Sequence, residues 1–171
     1  MTMTISEAIR RYGNPDANRD NAPDPAWEKA HIVYCGGSGK AEKPALPGVP
    51  ARLWVGVHRL VEPALRAGLT AAVAACPDYE IERLGCYVFR HQRHDPTRPL
   101  SIHSVGSAVD INPDDNSARN VKVPIEPWSP EWRRIWPDGL PRPFVEAMEA
   151  HGWEWGGRWP GFVDPMHFQV R

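Results

Sequence analysis

Apolar residues recur with a helical period in three stretches of the chain. Over Arg52–Arg66 they form one stripe, which predicts a helix that Pro63 either kinks or restarts and that continues to Ala75. Pro141–His151 carries a similar stripe and is followed by a glycine, a common helix stop. Ser6–Tyr12 is predicted to be a shorter helix with its serine as N-cap. The helical region from Arg52 to Ala75 is expected to back a sheet.

Alternation of polar and apolar residues predicts the strands of that sheet. Glu80–Arg90 alternates along its length and is predicted to be one strand. Ser107–Ile111 is predicted to be a second strand, with Asp110 on the face opposite the core. His167–Val170 is predicted to be a third, and its first and third residues share a face. Side chains with metal-binding chemistry therefore fall on strands.

The rest of the chain is dominated by turn-forming residues. Asn14–Pro50 is predicted to be mainly loop, with a brief strand at Ile32–Tyr34. Cys35–Lys40 is glycine-rich but lacks the first glycine and the final hydroxyl residue of a phosphate-binding loop. Asn112–Asn120 is predicted to be turns, and Glu131–Ile135 a helical turn. These assignments leave few long regular elements.

Length and composition are those of one ordinary domain. The 171 residues are expected to form a single unit, in which residues 1–50 wrap a catalytic core formed by residues 51–171. The 19 prolines favour short elements joined by long ordered loops and argue against a helix bundle. The three cysteines contain no closely spaced pair and are expected to be free thiols.

Charge and hydropathy exclude several functions. A net charge of −1 provides no general attraction to nucleic acid or to anionic lipid. No apolar run approaches the roughly 20 residues that cross a bilayer, so no membrane insertion is expected. Met1–Tyr12 is interrupted by charges and has no signal-peptide core. We expect synthesis in the cytoplasm without a signal peptide, and export by another route.

Two short motifs carry the candidate chemistry. The first is Ser-x-His-x-x-Gly-x-Ala-x-Asp at Ser101–Asp110, and the second is Asp-x-x-His at Asp164–His167. His103 and Asp110 can converge only if the chain turns between them, and Gly106 allows that turn at little cost. Two imidazoles and one carboxylate form a ligand set used by catalytic zinc. The sequence therefore predicts that His103, Asp110 and His167 bind Zn²⁺.

Other residues are candidates for the remaining roles in hydrolysis. Asp164 is expected to act as the general acid and base, because a short turn places it beside the last ligand. Arg90, at the end of its predicted strand, is expected to bind a substrate oxygen, and Arg93 is the alternative for that role. Ser101 and Trp155 are further candidates for substrate contacts.

The remaining histidines are not expected to bind metal. His91 and His94 lie in a polar loop among charged residues, where solvated side chains are the expected state. His31, His58 and His151 are isolated in sequence and are expected to be ordinary core or surface residues.

The motifs resemble those of the zinc metallopeptidases of bacterial peptidoglycan. That family includes the VanY-type D-Ala-D-Ala carboxypeptidases, the D-Ala-D-Ala dipeptidases and the phage endolysins that cut L-Ala-D-Glu. Its pattern also contains Trp-Gly-Gly, present here at Trp155–Gly157 between the two motifs. The resemblance extends from about Gly85 to the end of the chain. It implies the zinc ligands named above, Asp164 as acid/base and Arg90 as the substrate-binding arginine.

The resemblance also implies a fold and a substrate. The fold would be α+β and hedgehog-like, with a small, mainly antiparallel sheet that carries the zinc site and is flanked by helices. The substrate would be the peptide stem of peptidoglycan, cut at the D-Ala-D-Ala bond by a carboxypeptidase or at L-Ala-D-Glu by an endopeptidase. An enzyme of this kind would act at the cell wall after release, and we expect a monomer. The alternative is a non-catalytic, zinc-stabilised module that binds the wall.

Overall fold

A computed structural model describes residues 2–36, 43–118 and 125–171. Its helices are α1 (Ile5–Tyr12), α2 (Pro25–His31), α3 (Glu62–Ala75), α4 (Pro113–Asn116), α5 (Pro130–Ile135) and α6 (Arg142–Ala150). Its strands are β1 (Ile32–Gly36), β2 (Trp54–His58), β3 (Leu84–Gly85), β4 (Ala108–Ile111), β5 (Trp153–Trp155) and β6 (His167–Val170). Short 3₁₀ turns span Gln92–His94, Ile102–Val105 and Gly156–Arg158. The predicted α+β class is confirmed.

The strands form two antiparallel sheets. β1 pairs with β2, and the second sheet has the order β3-β4-β6-β5. In the second sheet Asp110 lies opposite His167, and Val109 opposite Phe168. Because side chains alternate between faces, the polar pair lies on one face and the apolar pair on the other. The site and the core therefore use opposite faces of the same strands.

Helices α3 and α6 cover the apolar face. They pack against each other, and α6 also packs on β5. Trp153 donates its indole N–H to the carbonyl oxygen of Ala64 in α3. Gly68 allows this close approach, since a Cβ there would lie 2.9 Å from the sulfur of Met148. Burial of Trp153, Met148 and Phe168 in this layer fixes the sheet that carries the site.

The prediction of a helix from Arg52 is wrong over its first half. Trp54–His58 is strand β2, and α3 begins only at Glu62, with Pro63 in its first turn. The stripe in this region also fits a strand, because its β-branched valines, Val55 and Val57, are both buried against the core. The alternative that Pro63 starts a helix is confirmed.

The strand predicted over Glu80–Arg90 is much shorter in the structure. Only Leu84–Gly85 pairs with β4, because the preceding backbone bonds to a side chain instead. The amide of Asn112 accepts from the N–H groups of Glu82 and Arg83 and donates to the carbonyl oxygen of Glu80. Arg90 therefore lies in an irregular segment and not at a strand end.

Smaller differences concern the N-terminal third. Helix α1 is capped by Thr4 and not by Ser6, since Thr4 and Glu7 form a capping box. The segment predicted to be mainly loop contains α2, whose Asp24 N-cap precedes a proline at the first helical turn. The predicted strand at residues 32–34 is confirmed as part of β1. The glycine-rich stretch predicted to be a loop lies mostly outside the described residues.

The later secondary-structure predictions agree more closely. The predicted helix at Pro141–His151 is α6, and the predicted helical turn at Glu131–Ile135 is α5. The turn region predicted from Asn112 instead contains the one-turn helix α4 in its described part. Cysteines 35, 76 and 86 are free, as predicted. No helix of the described residues could cross a membrane. The single-domain organisation stays a prediction.

Candidate metal centre and active site

Three side chains from the two motifs converge on one point. His103 Nε2 lies 3.2 Å from His167 Nδ1 and 3.3 Å from Asp110 Oδ1. His167 Nδ1 lies 3.1 Å from the same Asp110 oxygen. In a tetrahedral zinc site with ligands at about 2.0–2.1 Å, the ligand atoms lie about 3.3 Å apart. The three observed separations fit a single ion held by these residues.

The turn predicted at Gly106 brings His103 to the sheet. His103 lies in the 3₁₀ turn Ile102–Val105, whose N-cap is Ser101 and whose C-cap is Gly106 in the left-handed region at φ 66°. A Cβ on Gly106 would lie 2.7 Å from the backbone nitrogen of His58. Glycine is thus required here both by conformation and by the close approach of β2.

A main-chain carbonyl orients His103. Its Nδ1 lies 2.7 Å from the carbonyl oxygen of Cys86, which can only accept a hydrogen bond. Nδ1 therefore carries the proton, and the lone pair of Nε2 faces Asp110 and His167. Such a second contact is characteristic of histidines that bind metals. The segment around Cys86 thus contributes to the site through its backbone.

The charges of the cluster are coupled. Burial alone would raise the pKa of Asp110, but without a metal the two imidazoles of His103 and His167, which can donate to the carboxylate when protonated, outweigh it and hold that pKa well below its usual range. Burial would lower the pKa of His167, and the Asp110 carboxylate reverses this and raises it. The pocket therefore keeps Asp110 ionised, the form that binds a cation.

Asp164 lies beside the cluster in a different environment. Burial raises the pKa of Asp164 to about 6, partly offset by the charge of His167. Its Oδ1 is buried, and no described residue donates a hydrogen bond to it. A carboxyl group with an unsatisfied buried oxygen and a pKa near neutrality suits proton transfer at this position.

The Trp-Gly-Gly motif shapes the turn that holds Asp164. The N–H of Asp164 donates to the carbonyl oxygen of Gly156, and a Cβ on Gly156 would lie 2.6 Å from the Asp164 carbonyl oxygen. A Cβ on Gly157 would overlap the indole of Trp155, with contacts of 2.3 to 2.5 Å. That indole donates to the carbonyl oxygen of Pro165 at 2.7 Å. All three motif residues therefore pack against or hydrogen-bond to the Asp164–Pro165 turn, or shape the indole that does so.

This arrangement corrects the predicted role of Trp155. Its side chain is 1 % exposed and stacks on Trp128 with ring centroids 5.1 Å apart. A substrate cannot contact an indole buried in this way, so we reassign Trp155 to support of the turn. Trp159, only partly buried, has its ring centroid 5.2 Å from that of His167. It also lines a cleft of about 420 Å³ together with Val163.

Arg90 is held close to the site through its backbone. Ser104 Oγ donates to the carbonyl oxygen of Arg90 at 2.8 Å and accepts from its N–H at 3.0 Å. The N–H of Ser101 donates to the same carbonyl oxygen at 2.8 Å. The half-buried Arg90 also acts electrostatically on Asp164 and favours its charged form. The turn that bears His103 therefore also positions Arg90.

Ser101 itself has a structural position. It is 7 % exposed, and its Oγ accepts a hydrogen bond from the N–H of His103 as the N-cap of the 3₁₀ turn. These contacts account for its place in the motif and argue against the predicted contact with substrate.

Arg93 contacts an exposed aromatic ring on a neighbouring loop. It is exposed, with a left-handed φ of 56°, and its guanidinium carbon lies 5.9 Å from the ring centroid of Phe162. Phe162 is 42 % exposed, so this pair joins two surface loops. His91, in the first of these loops, bonds to Asn21 and to the Arg98 carbonyl oxygen. It does not join the metal-binding cluster.

The sequence analysis did not identify Ser104 and Gln169, which contact Arg90 and His167 respectively. Ser104 lies inside the first motif, at a position that the motif leaves open, and only the fold shows its bonds to Arg90. Gln169 was predicted to share a face with His167, and the structure places its amide oxygen 3.3 Å from His167 Nε2. Its position two residues after a histidine ligand, on the same side of a strand, was the available signal.

A two-histidine, one-carboxylate cluster beside a buried carboxyl group defines a candidate site of the metal-dependent hydrolase class. A protein-family model described as D-alanyl-D-alanine carboxypeptidase, of the peptidase M15 family, matches residues 94–170. Residues 94–170 are thus similar to that family of zinc metallopeptidases, in agreement with the resemblance noted in the motifs. No curated protein and no solved structure matches the chain significantly. The hedgehog-like relationship therefore stays a prediction.

The matched region contains the three cluster residues and Asp164 but not Arg90 or Cys86. The match thus supports a metallopeptidase at the level of the family. Cys86 contacts the site through His103, and Arg90 is connected to it through Ser104 and Ser101.

Proposed function

We propose that the protein is a zinc-dependent peptidase that hydrolyses the peptide stem of bacterial peptidoglycan. The observation that carries the proposal is the convergence of His103, Asp110 and His167 next to an Asp164 oxygen that has no hydrogen-bond partner among the described residues. Zinc in a site of this kind lowers the pKa of water and polarises a carbonyl group. Three protein ligands also leave a fourth position for a reactant, as catalytic zinc sites do.

Asp164 is proposed as the general acid and base. A group with a pKa of about 6 can accept a proton at neutral pH and return it within one turnover. Its free Oδ1 is the atom that would take the proton from water and later donate it to the leaving amine. The Trp155–Gly157 motif holds the turn that bears Asp164, and such positioning would contribute to catalysis.

Arg90 is proposed to bind the substrate. A guanidinium presents fixed parallel donors to a carboxylate or carbonyl oxygen and cannot lose its charge. The bonds from Ser104 and Ser101 hold its backbone beside the turn that bears His103. Arg93 and Phe162 are proposed to form the outer rim, where they would contact the part of the stem distant from the scissile bond.

Two features favour an enzyme over a zinc-stabilised binding module. A purely structural site is closed by four protein ligands, whereas the described residues offer three at this point. A structural site also has no use for Asp164, whose buried oxygen accepts no hydrogen bond within the described part of the chain. The description of the matching family favours release of the terminal D-alanine, so the D-Ala-D-Ala bond is the first candidate.

The test is digestion of purified muropeptides by the zinc-loaded protein, with products weighed by mass spectrometry. Loss of one alanine from pentapeptide stems would support the carboxypeptidase, and cleavage between L-Ala and D-Glu the endopeptidase. Asp164→Asn, loaded with zinc, is the matched control for contaminating hydrolases. Binding of intact wall fragments without any product, by protein shown to contain zinc, would instead support the binding module.

A further inference from the structure

Gln169 links the candidate ligand His167 to the backbone that precedes α1. Its amide oxygen Oε1 lies 3.3 Å from His167 Nε2, and its amide nitrogen Nε2 donates to the carbonyl oxygen of Met3 at 3.1 Å. Gln169 is 3 % exposed and lies on the same face of β6 as His167. Two sequence-distant parts of the chain therefore meet behind the metal-binding cluster.

The direction of this chain of hydrogen bonds is determined by chemistry. A main-chain carbonyl oxygen only accepts, so the NH₂ group of Gln169 must face Met3 and its oxygen must face His167. An amide oxygen also only accepts, so Nε2 of His167 must carry the proton. The lone pair of that imidazole is then on Nδ1, the atom that faces His103 and Asp110.

The capping box of α1 fixes the orientation of the Met3 carbonyl group, which accepts the hydrogen bond from Gln169. The N–H of Thr4 donates to the carboxylate of Glu7 at 2.7 Å. That N–H and the carbonyl group of Met3 belong to one planar peptide unit and point in opposite directions. With its N–H held by Glu7, the peptide unit must present the Met3 oxygen on its other side, toward Gln169.

We propose that Gln169, oriented by the Met3 carbonyl group, is a positioning residue that selects the His167 tautomer able to bind zinc through Nδ1. The inference rests on the proposed role of His167 as a ligand. It assigns to residues 3–7 a part in the site, although they lie in the segment predicted only to wrap the core. Partners of this kind typically change metal affinity by about 10–100-fold when removed.

The test compares two substitutions of similar size. Gln169→Leu fills the same space without an acceptor, whereas Gln169→Glu keeps an acceptor for His167 Nε2. We expect zinc affinity, measured by competition with a chromophoric chelator, to fall by about 10–100-fold in Gln169→Leu and by clearly less in Gln169→Glu, which keeps the acceptor for His167 but loses the donor to the Met3 carbonyl oxygen. The ligand-field spectrum of bound Co²⁺ should change more in the leucine variant than in the glutamate variant.

Glu154→Gln is the matched control. Glu154 is the cross-strand neighbour of Gln169 in β5 and accepts from Trp159 Nε1, but it has no bond to His167. Its zinc affinity should equal that of the parent. A folded Gln169→Leu variant that binds zinc as tightly as the parent would overturn the proposal.

A second measurement covers the case in which Gln169→Leu does not fold. Long-range ¹H–¹⁵N spectra of the unaltered protein report the tautomer of each imidazole, without and with zinc. We expect His167 to be protonated at Nε2 and to bind zinc through Nδ1; binding through Nε2 would overturn the inference. Both readouts are independent of peptidase activity, so the proposed function can fail on muropeptides while this inference stands.

Discussion

His103 and His167 are separated by 64 residues, yet their nearest ring nitrogens lie 3.2 Å apart. Each ring has a hydrogen-bond acceptor at its other nitrogen: the carbonyl oxygen of Cys86 for His103 and the amide oxygen of Gln169 for His167. The two lone pairs therefore face each other, a repulsive arrangement unless a cation or proton lies between them. The folded chain thus presents a site arranged for metal before any metal binds.

The first prediction concerns the ligands. His167→Ala should lose most of the affinity for zinc, because three protein ligands are the minimum for such a site. His151→Ala, which removes an exposed imidazole that bonds to the Ala147 carbonyl oxygen of its own helix, is the control. Elemental analysis after dialysis checks both variants. Full zinc occupancy in His167→Ala would show that this histidine is not a ligand.

The second prediction separates Asp164 from the ligands. Asp164→Asn should keep zinc and the fold but lower kcat by about a hundredfold or more, since proton transfer is lost. Zinc content and muropeptide turnover are measured on the same sample. If zinc and activity disappeared together, Asp164 would have to be counted among the ligands.

The third prediction compares the two arginines. Arg90→Lys should keep zinc and lower kcat/KM. The activation free energy derived from kcat/KM should rise by about 2–4 kcal/mol, the cost of removing a fixed donor to a developing oxyanion. Arg93→Lys should have little effect, because Arg93 is exposed and its guanidinium lies over the ring of Phe162. Both are assayed on one defined muropeptide. The reverse ranking would transfer the substrate-binding role to Arg93.

The fourth prediction tests the turn that holds Asp164. Gly156→Ala would place a Cβ 2.6 Å from the Asp164 carbonyl oxygen, so the turn must shift and activity should fall with zinc affinity largely kept. Gly85→Ala is the matched control, because a Cβ on Gly85 meets nothing within 4 Å. Equal activity of the two variants would mean that the turn tolerates displacement.

The fifth prediction concerns stability and pH. Burial, with the nearby charge of His31, lowers the pKa of His58 from 6.5 to about 4. The unfolded chain therefore binds a proton more readily than the folded one, and stability should fall as pH drops from about 6.5 to about 4, by about 3 kcal/mol. Above pH 6.5 this contribution is constant.

Urea unfolding at several pH values checks the fifth prediction. His58→Gln should lose stability at neutral pH, since the bonds of His58 with Tyr12 and Leu60 are disturbed. Its stability should, however, depend less on pH than that of the parent. His151→Gln, at an exposed site, should retain the parent's pH dependence. A His58→Gln curve parallel to the parent curve would contradict the assignment.

The metal-binding cluster could be predicted from sequence because its constraints are local and chemical. Only a few residue types bind zinc, and Gly106 between His103 and Asp110 reveals the turn that brings them together. The strands that bear Asp110 and His167 also alternate clearly between polar and apolar residues. Their convergence is found in the structure, while their roles in catalysis stay predictions.

The features that sequence did not reveal depend on distant contacts. Trp54–His58 has a pattern compatible with helix or strand, and only pairing with β1 decides between them. Glu80–Arg90 alternates like a strand, but the side chain of Asn112 takes its backbone bonds. Trp155 could be a cleft wall or a core residue by composition, and stacking on Trp128 places it in the core.

The pairing of Asp110 with His167 across β4 and β6 has a consequence for folding. A slip of one residue would put Met166 or Phe168 opposite Asp110 and turn the imidazole toward the core. A chain aligned wrongly can therefore form hydrogen bonds between these strands but cannot gather the three ligands. Zinc present during refolding would bind only correctly aligned molecules. By stabilising them it would shift the equilibrium away from slipped alignments and so select the correct strand register.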